Sequence, residues 1–327
     1  MRNETSDKII EYIRVKGQTT AKDLADHFDI SRQGLFKHLT KLLKNEKICK
    51  IGKPPKVFYS VAEQKKQNTN KVEELDKISK KNIEENFTII TPSGGRKNGI
   101  DGFTFWCQKT NQPFKKTAKE YLDSCNKYNA FKKDGLIDGM LKMQSTFKEV
   151  HLDEIFYLEF YSIERFGKTK LGQSLLYAKQ SQNRILIKEL ILGIKPKIER
   201  LIKKYRIDSV GFIPPTVKRE IQFMRELEKK LDLDLKKISL IKAKTEISVP
   251  QKTLNRLADR MENAQKTIIV DENKMSKNIL LIDDAVGSGA TLNETAGQIK
   301  SKGLCKGKII GLAITGSFKG FDIISEV

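Results

Sequence analysis

Residues Ile279 to Thr291 read ILLIDDAVGSGAT. Four apolar residues give way to two adjacent aspartates, Asp283 and Asp284, and then to a turn of small residues. A connection that only reversed the chain would not place two carboxylates at the mouth of a buried strand. Gly287, Ser288 and Gly289 let the backbone turn tightly and aim its N–H groups at an anion. Thr291, with Glu294 three residues on, has the spacing of a capping box, so a helix is expected to start there and add its positive dipole end. Together with Ala285 and Ala290, the stretch predicts a cradle for phosphate beside two acceptors for sugar hydroxyls.

The surrounding chain supplies the context. DSVGFIPP, KKISLIKAK, TIIVDE, NILLIDD and GKIIGLAIT are apolar runs. They alternate with the amphipathic segments VKREIQFMRELEKKLDL, LNRLADRMENAQK and TLNETAGQIKSKG. Near-continuous apolar strands alternating with helices predict a doubly wound, mostly parallel sheet covered on both faces. Ligands of such sheets lie beyond the carboxyl ends of the strands, where Asp283 and Asp284 fall.

On these residues the segment resembles the phosphoribosyl-pyrophosphate (PRPP) motif of type I phosphoribosyltransferases. The resemblance extends over roughly Phe156 to Val327. FIPPTVKREIQFMRELEKKL is similar to the strand-end loop that receives pyrophosphate, which implicates Pro215, Thr216, Lys218 and Arg219. SVPQKTLNRLADRMENAQKTIIV is similar to the flexible-loop segment of the ComF-like branch, with Pro250, Gln251, Leu254, Arg260 and Asn263. The resemblance implies a PRPP or nucleotide ligand, with Mg²⁺ on its pyrophosphate. In an active enzyme Asp283 and Asp284 would be the catalytic carboxylates. Three features depart from the pattern. Gly287 stands where the family has Thr, the Cys clusters that precede many ComF-like domains are missing, and little chain follows GKIIGLAIT. Any acceptor pocket would then come from the middle of the chain.

The first sixty residues predict a different module. SDKIIEYIRVKG, TTAKDLADHFDI and SRQGLFKHLTKLLKN carry apolar residues at helical spacing, the third with Ser31 as N-cap and Leu35, Leu39 and Leu42 inward. KICKIGKPPKVFYSV then alternates around GKPP as a hairpin does. The layout resembles a winged helix-turn-helix. From Ile30 to Asn45 there is no acid, while Arg32, Lys37, His38 and Lys41 are basic. With Ser31 and Gln33 at the helix start, and Lys53 and Lys56 on the wing, these are the residues expected on duplex DNA. A small three-helix protein-interaction module is the plainer alternative.

The domains expected are therefore a winged helix over 1–62, a charged and partly helical linker over 63–86, an unassigned accessory segment over 87–154, and a phosphoribosyltransferase-like domain over 155–327. In the accessory segment FTIITPSGGRKNGIDGFTFWCQ suggests two strands about a Gly-rich turn, with Trp106 in a core. Lys168, Lys170 and Lys179 read as ordinary surface charge.

Composition fits this reading. The 327 residues carry 62 Lys and Arg against 41 Asp and Glu, a formal net charge of +21, which favours polyanionic partners. The four cysteines form no CxxC pair, so neither structural zinc nor a disulfide framework is expected. No apolar run approaches the ~18 residues of a membrane span, and the opening residues do not read as a signal peptide. A soluble, cytoplasmic protein is expected, and a homodimer, since one winged helix reads only a short half-site. Two functions follow. One is a DNA-binding regulator that senses a ligand through a phosphoribosyltransferase-like domain, in the manner of the purine-operon repressors. The other is an active phosphoribosyltransferase with a DNA-binding module, including effectors of retron-type phage-defence or toxin–antitoxin systems.

Overall fold

The computed structural model describes residues 4–53, 56–62, 75–217, 219–247 and 249–317. The chain divides into two compact units, Met1–Glu73 and Glu74–Val327.

In the first unit, α1 (Glu4–Lys16), β1 (Thr19–Thr20), α2 (Ala21–Phe28) and α3 (Arg32–Lys44) are followed by β2 (Ile48–Lys53) and β3 (Lys56–Val61). Thr20 and Asp23 cap α2 reciprocally, and the Ser31 hydroxyl accepts from Gly34 N–H at the head of α3. Leu35, Leu39 and Leu42 recur on one side of α3 and are buried against Ile9, Ile13 and Leu24. The strands β2 and β3 pair antiparallel, and β1 adds to the other side of β3. Three helices and a hairpin thus share one small core.

The second unit begins with α4 (Lys77–Asn86), so the end of the expected linker is a helix that buries Ile83. The hairpin of β4 (Thr88–Ile90) and β5 (Arg96–Asn98) leads into α5 (Gly99–Lys109) and α6 (Phe114–Asn129). Then come β6 (Lys132–Lys133), β7 (Leu136–Asp138), α7 (Met140–Thr146), β8 (Glu154–Phe160), the short pair β9 (Ser162–Ile163) and β10 (Gly167–Lys168), α8 (Lys170–Ser181) and α9 (Arg184–Tyr205). The remainder runs β11 (Ser209–Phe212), α10 (Phe223–Leu231), β12 (Lys236–Lys237), β13 (Leu240–Lys242), α11 (Leu257–Thr267), β14 (Ile268–Val270), β15 (Ile279–Val286), α12 (Ala290–Ser301) and β16 (Ile309–Gly316).

Seven strands form one sheet in the order β12-β11-β15-β16-β8-β7-β6. The first five are parallel, and β7 and β6 run antiparallel at one edge. The three-residue strands β13 and β14 pair antiparallel with each other and stand apart from it. Side chains along β15 alternate between the faces. Leu280 and Ile282 pack with α8, α9 and α10, through Leu175, Ile194 and Leu227. Ile279 and Leu281 pack with α12, through Leu292 and Ile299, in the core that also holds Phe103 and Tyr121 of the accessory helices. All four strand residues are fully buried, each worth about 1.5–3 kcal/mol. The expectation of a mostly parallel sheet covered on both faces holds, with the accessory segment as part of the cover.

Topology positions the site. From β11 the chain crosses through α10 to β12 on one side, and from β15 it crosses through α12 to β16 on the other. The strand order therefore reverses between β11 and β15, which opens a crevice beyond their carboxyl ends.

Candidate functional site

A crevice of about 220 Å³ occupies that switch point. Asp283 and Asp284 form one wall and residues 285–291 wrap its floor. Pro215, Thr216 and Arg219 come from the loop after β11, and Pro250, Gln251 and Arg260 from the segment before β14. Three stretches singled out in the sequence thus converge on one cavity. Lys218 lies outside the described residues.

The floor is built differently from the capping box expected. Helix α12 begins at Ala290, and its N-cap is Gly289, at φ 91° and ψ 0°, with no side-chain cap. Thr291 is already inside the helix, where its carbonyl accepts from the Thr295 hydroxyl. Glu294 is 5% exposed and accepts from Gln265 of α11 at 2.6 Å. Glu294 serves the contact between helices, so the helix mouth carries no carboxylate of its own. The Ser288 hydroxyl accepts from Ala290 N–H at 3.3 Å, and an N-terminus that faces a cavity with no carboxylate on it suits an anion.

The accessory segment braces this floor from behind. Lys142 of α7 donates to the Gly287 carbonyl at 2.6 Å and to the Ser317 carbonyl at 3.3 Å. Met143, fully buried, packs on Gly289. Among the described residues, none from 87–154 lines the crevice.

The carboxylates are unequal. Asp283 Oδ1 accepts from Asp284 N–H at 2.8 Å. Burial, and after it the charge of Asp284, pushes the Asp283 carboxyl well above the usual carboxylate range; the Asp284 amide and Lys179 pull the other way. Asp284 Oδ2 makes an ion pair at 2.7 Å with Lys179 of α8. Lys179 is therefore not ordinary surface charge but part of the crevice wall. Opposite stand Lys242, which donates to the Thr267 hydroxyl, and Arg260, 5% exposed, whose Nε donates to the Leu254 carbonyl at 2.8 Å. Burial lowers the pKa of both, and neither has an ion pair among the described residues. Arg260, buried and without a carboxylate partner among the described residues, and the half-buried Lys242 suit an anionic ligand. Gln251 fixes Arg260 by donating to its carbonyl at 2.9 Å and to Asn263 Oδ1 at 3.2 Å.

In the first unit Ser31 is a cap, and Arg32, Gln33, Lys37 and Lys41 are exposed on the outer side of α3. His38 is not on that side, because its Nδ1 hydrogen-bonds Ser6 of α1 at 2.9 Å. Lys53 and Lys56 pair across the end of the hairpin. His27 stacks on Tyr12 at 4.0 Å between ring centroids.

No protein-family model matches the chain, and no curated protein matches it. Among solved structures it is similar to a hypoxanthine phosphoribosyltransferase from Staphylococcus aureus, at 16% identity over 41% of this chain and 80% of that one, with a TM-score of 0.24. It is also similar to adenine phosphoribosyltransferase from Leishmania tarentolae, at 12% identity over 49% of this chain and 90% of that one, with a TM-score of 0.25. Neither likeness carries the reading that follows, which rests on the crevice itself.

Proposed function

We propose that the second unit is a type I phosphoribosyltransferase-like domain that binds PRPP or a related ribose 5-phosphate compound, and that the first is a winged helix-turn-helix whose grip on duplex DNA depends on that ligand. The observation that carries the reading is the convergence in one crevice of two carboxylates, a helix N-terminus that no carboxylate caps, and two cations, the buried Arg260 and the half-buried Lys242, without ion pairs among the described residues. Loop amides and the α12 terminus suit a terminal phosphate. Carboxylates accept hydrogen bonds and so select hydroxyl donors, while Arg260 and Lys242 suit a second anionic group such as pyrophosphate.

The carboxylate wall also fits Mg²⁺ carried on that pyrophosphate, since its negative charge faces the crevice. Carried by the ligand's own oxygens, the ion would neutralise phosphate charge and leave the free carboxylate oxygens to the sugar. The chain's own residues then orient the sugar and hold its phosphate.

Binding is favoured over transfer. Transfer needs an acceptor beside the sugar and negative charge to stabilise a developing ribosyl cation. The accessory segment supplies no crevice wall, and the Lys179 ammonium offsets one of the two carboxylate charges. For DNA, the support is the exposed face of α3, with Arg32, Lys37 and Lys41 and no acid. Two-fold operators and a homodimer would follow from that mode.

The test is titration calorimetry of PRPP with Mg²⁺ into the wild type and into Asp283→Asn/Asp284→Asn, paired with gel shifts on genomic DNA fragments with and without ligand. Saturable PRPP binding that the double variant loses is expected, with DNA affinity altered by ligand. No binding at millimolar PRPP sinks the proposal.

A further inference from the structure

Lys179 lies far in sequence from every motif of the crevice, yet it holds the wall together. Its ammonium meets Asp284 Oδ2 at 2.7 Å, with the two side chains 14% and 18% exposed. Its carbonyl accepts from Arg219 Nη1 at 2.7 Å, and Gln182, three residues on, accepts from Ile221 N–H at 2.8 Å. The end of α8 is thus tied both to the acidic strand and to the loop after β11. A largely buried ion pair gives little net stability compared with apolar packing of the same volume. Its value lies in what it fixes.

What it fixes is the set of available acceptors. On Asp283, Oδ1 is committed to the Asp284 amide. On Asp284, Oδ2 is committed to Lys179. One oxygen of each neighbouring carboxylate remains, Asp283 Oδ2 and Asp284 Oδ1. Both residues line the crevice at the carboxyl end of β15, so each can accept from one hydroxyl of a vicinal cis-diol.

We propose that Lys179 is a specificity-determining positioning residue: by pinning Asp284 it makes the carboxylate pair a reader of the ribose cis-diol that discriminates against the 2-deoxy sugar. This rests on the ribose-phosphate reading above. Without the ammonium, Asp284 is free to turn, so the second acceptor is no longer held where the 2-hydroxyl arrives. The phosphate cradle at residues 287–291 does not depend on Lys179 and keeps its grip.

The experiment titrates ribose 5-phosphate, 2-deoxyribose 5-phosphate and inorganic phosphate into the wild type, Lys179→Met and Lys179→Arg. Wild type should prefer the ribose compound about ten- to hundred-fold, the weight of one hydrogen bond to a charged group. Lys179→Met should keep inorganic phosphate but prefer ribose by no more than about three-fold, and Lys179→Arg should restore the preference. If the Met variant does not fold, Lys179→Leu, which likewise removes both donor and charge, takes its place with the same expected loss. A Met or Leu variant that discriminates as well as wild type overturns the proposal, as does a wild type that binds both sugars equally. A wild type that binds neither sugar phosphate removes the ribose-phosphate reading itself, and the role of Lys179 with it.

Discussion

Gly289 lies so close to Met143 that a Cβ at position 289 would stand 2.4 Å from the methionine sulfur. The obstruction comes from behind the phosphate loop, from a helix of the accessory segment. Gly289 also has a φ of 91°, which other residues adopt at a cost. Gly289→Val should therefore abolish phosphate binding by displacing the loop and destabilise the protein by about 2–4 kcal/mol, adding overpacking to backbone strain. Met143→Ala in the same chain should recover part of the stability, since only the clash is relieved. Thermal melts and phosphate titrations of the three variants check this; full recovery would mean that the backbone angle is unimportant.

Lys142→Met keeps most of the side-chain volume and removes the donor to the Gly287 and Ser317 carbonyls. Phosphate affinity should fall about ten-fold, with the loss of one charge-assisted hydrogen bond to the loop. Unaltered affinity in a calorimetric titration would show that the loop holds its shape unaided.

Arg260→Met tests the second anionic group. PRPP affinity should drop at least ten-fold, while ribose 5-phosphate, which lacks the pyrophosphate, should lose much less. An equal loss for both ligands would place Arg260 on the other phosphate or in a purely structural role.

Asp283 makes a prediction about pH. Its carboxyl is raised in the folded state, chiefly by burial, above the ordinary value of 3.8. The unfolded chain therefore ionises first. The cost of ionising Asp283 in the fold is absent below that ordinary value and grows as pH rises through the folded range. Asp283→Asn should accordingly melt higher than wild type without ligand, and the gap should widen from about pH 5 to about pH 8, at roughly 2–4 °C per kcal/mol. The same variant should lose ribose binding. A gap that narrows with rising pH would contradict the burial argument.

Replacing Arg32, Lys37 and Lys41 by Ala should weaken DNA binding and flatten its salt dependence, each lost phosphate contact removing about 0.9 from the log–log slope. His38→Ala should act through the α1–α3 contact instead, lowering the melting temperature without changing that slope. Gel shifts over a salt series separate the two effects.

The strand, turn and helix at Ile279–Ser301 were legible because each uses a local code: an apolar run, small residues at a turn, then helical spacing. The cap position was misread because Thr291 and Glu294 fit a capping box by spacing, whereas tertiary packing claims Glu294 for Gln265. Lys179 had no local signal at all, since a lysine in the last turn of a helix is favoured at any exposed C-terminus. The segment GIDGFTFWCQ was read as strand, being aromatic and glycine-rich. It forms α5 because Phe103 and Cys107, four apart, share a buried face, and Gly102 is required where a Cβ would come within 2.7 Å of the Lys97 carbonyl. A residue that weakens helix propensity is there to admit a neighbouring backbone, which sequence spacing does not reveal. The accessory strands β6 and β7 escaped for a different reason: two and three residues are too few to show a period.

Both margins of the seven-stranded sheet end in the same way. The outermost strand on one side is Lys132–Lys133 and on the other Lys236–Lys237, each two residues long. Such short borders offer almost no ladder for a foreign strand, and Lys132, Lys236 and Lys237 are held in ion pairs with Glu159, Glu272 and Glu228. The sheet is thereby closed to growth by strand addition, whether from a second molecule or from an unfolded neighbour during synthesis. A cross-linking map of any dimer should accordingly be empty at both lysine borders.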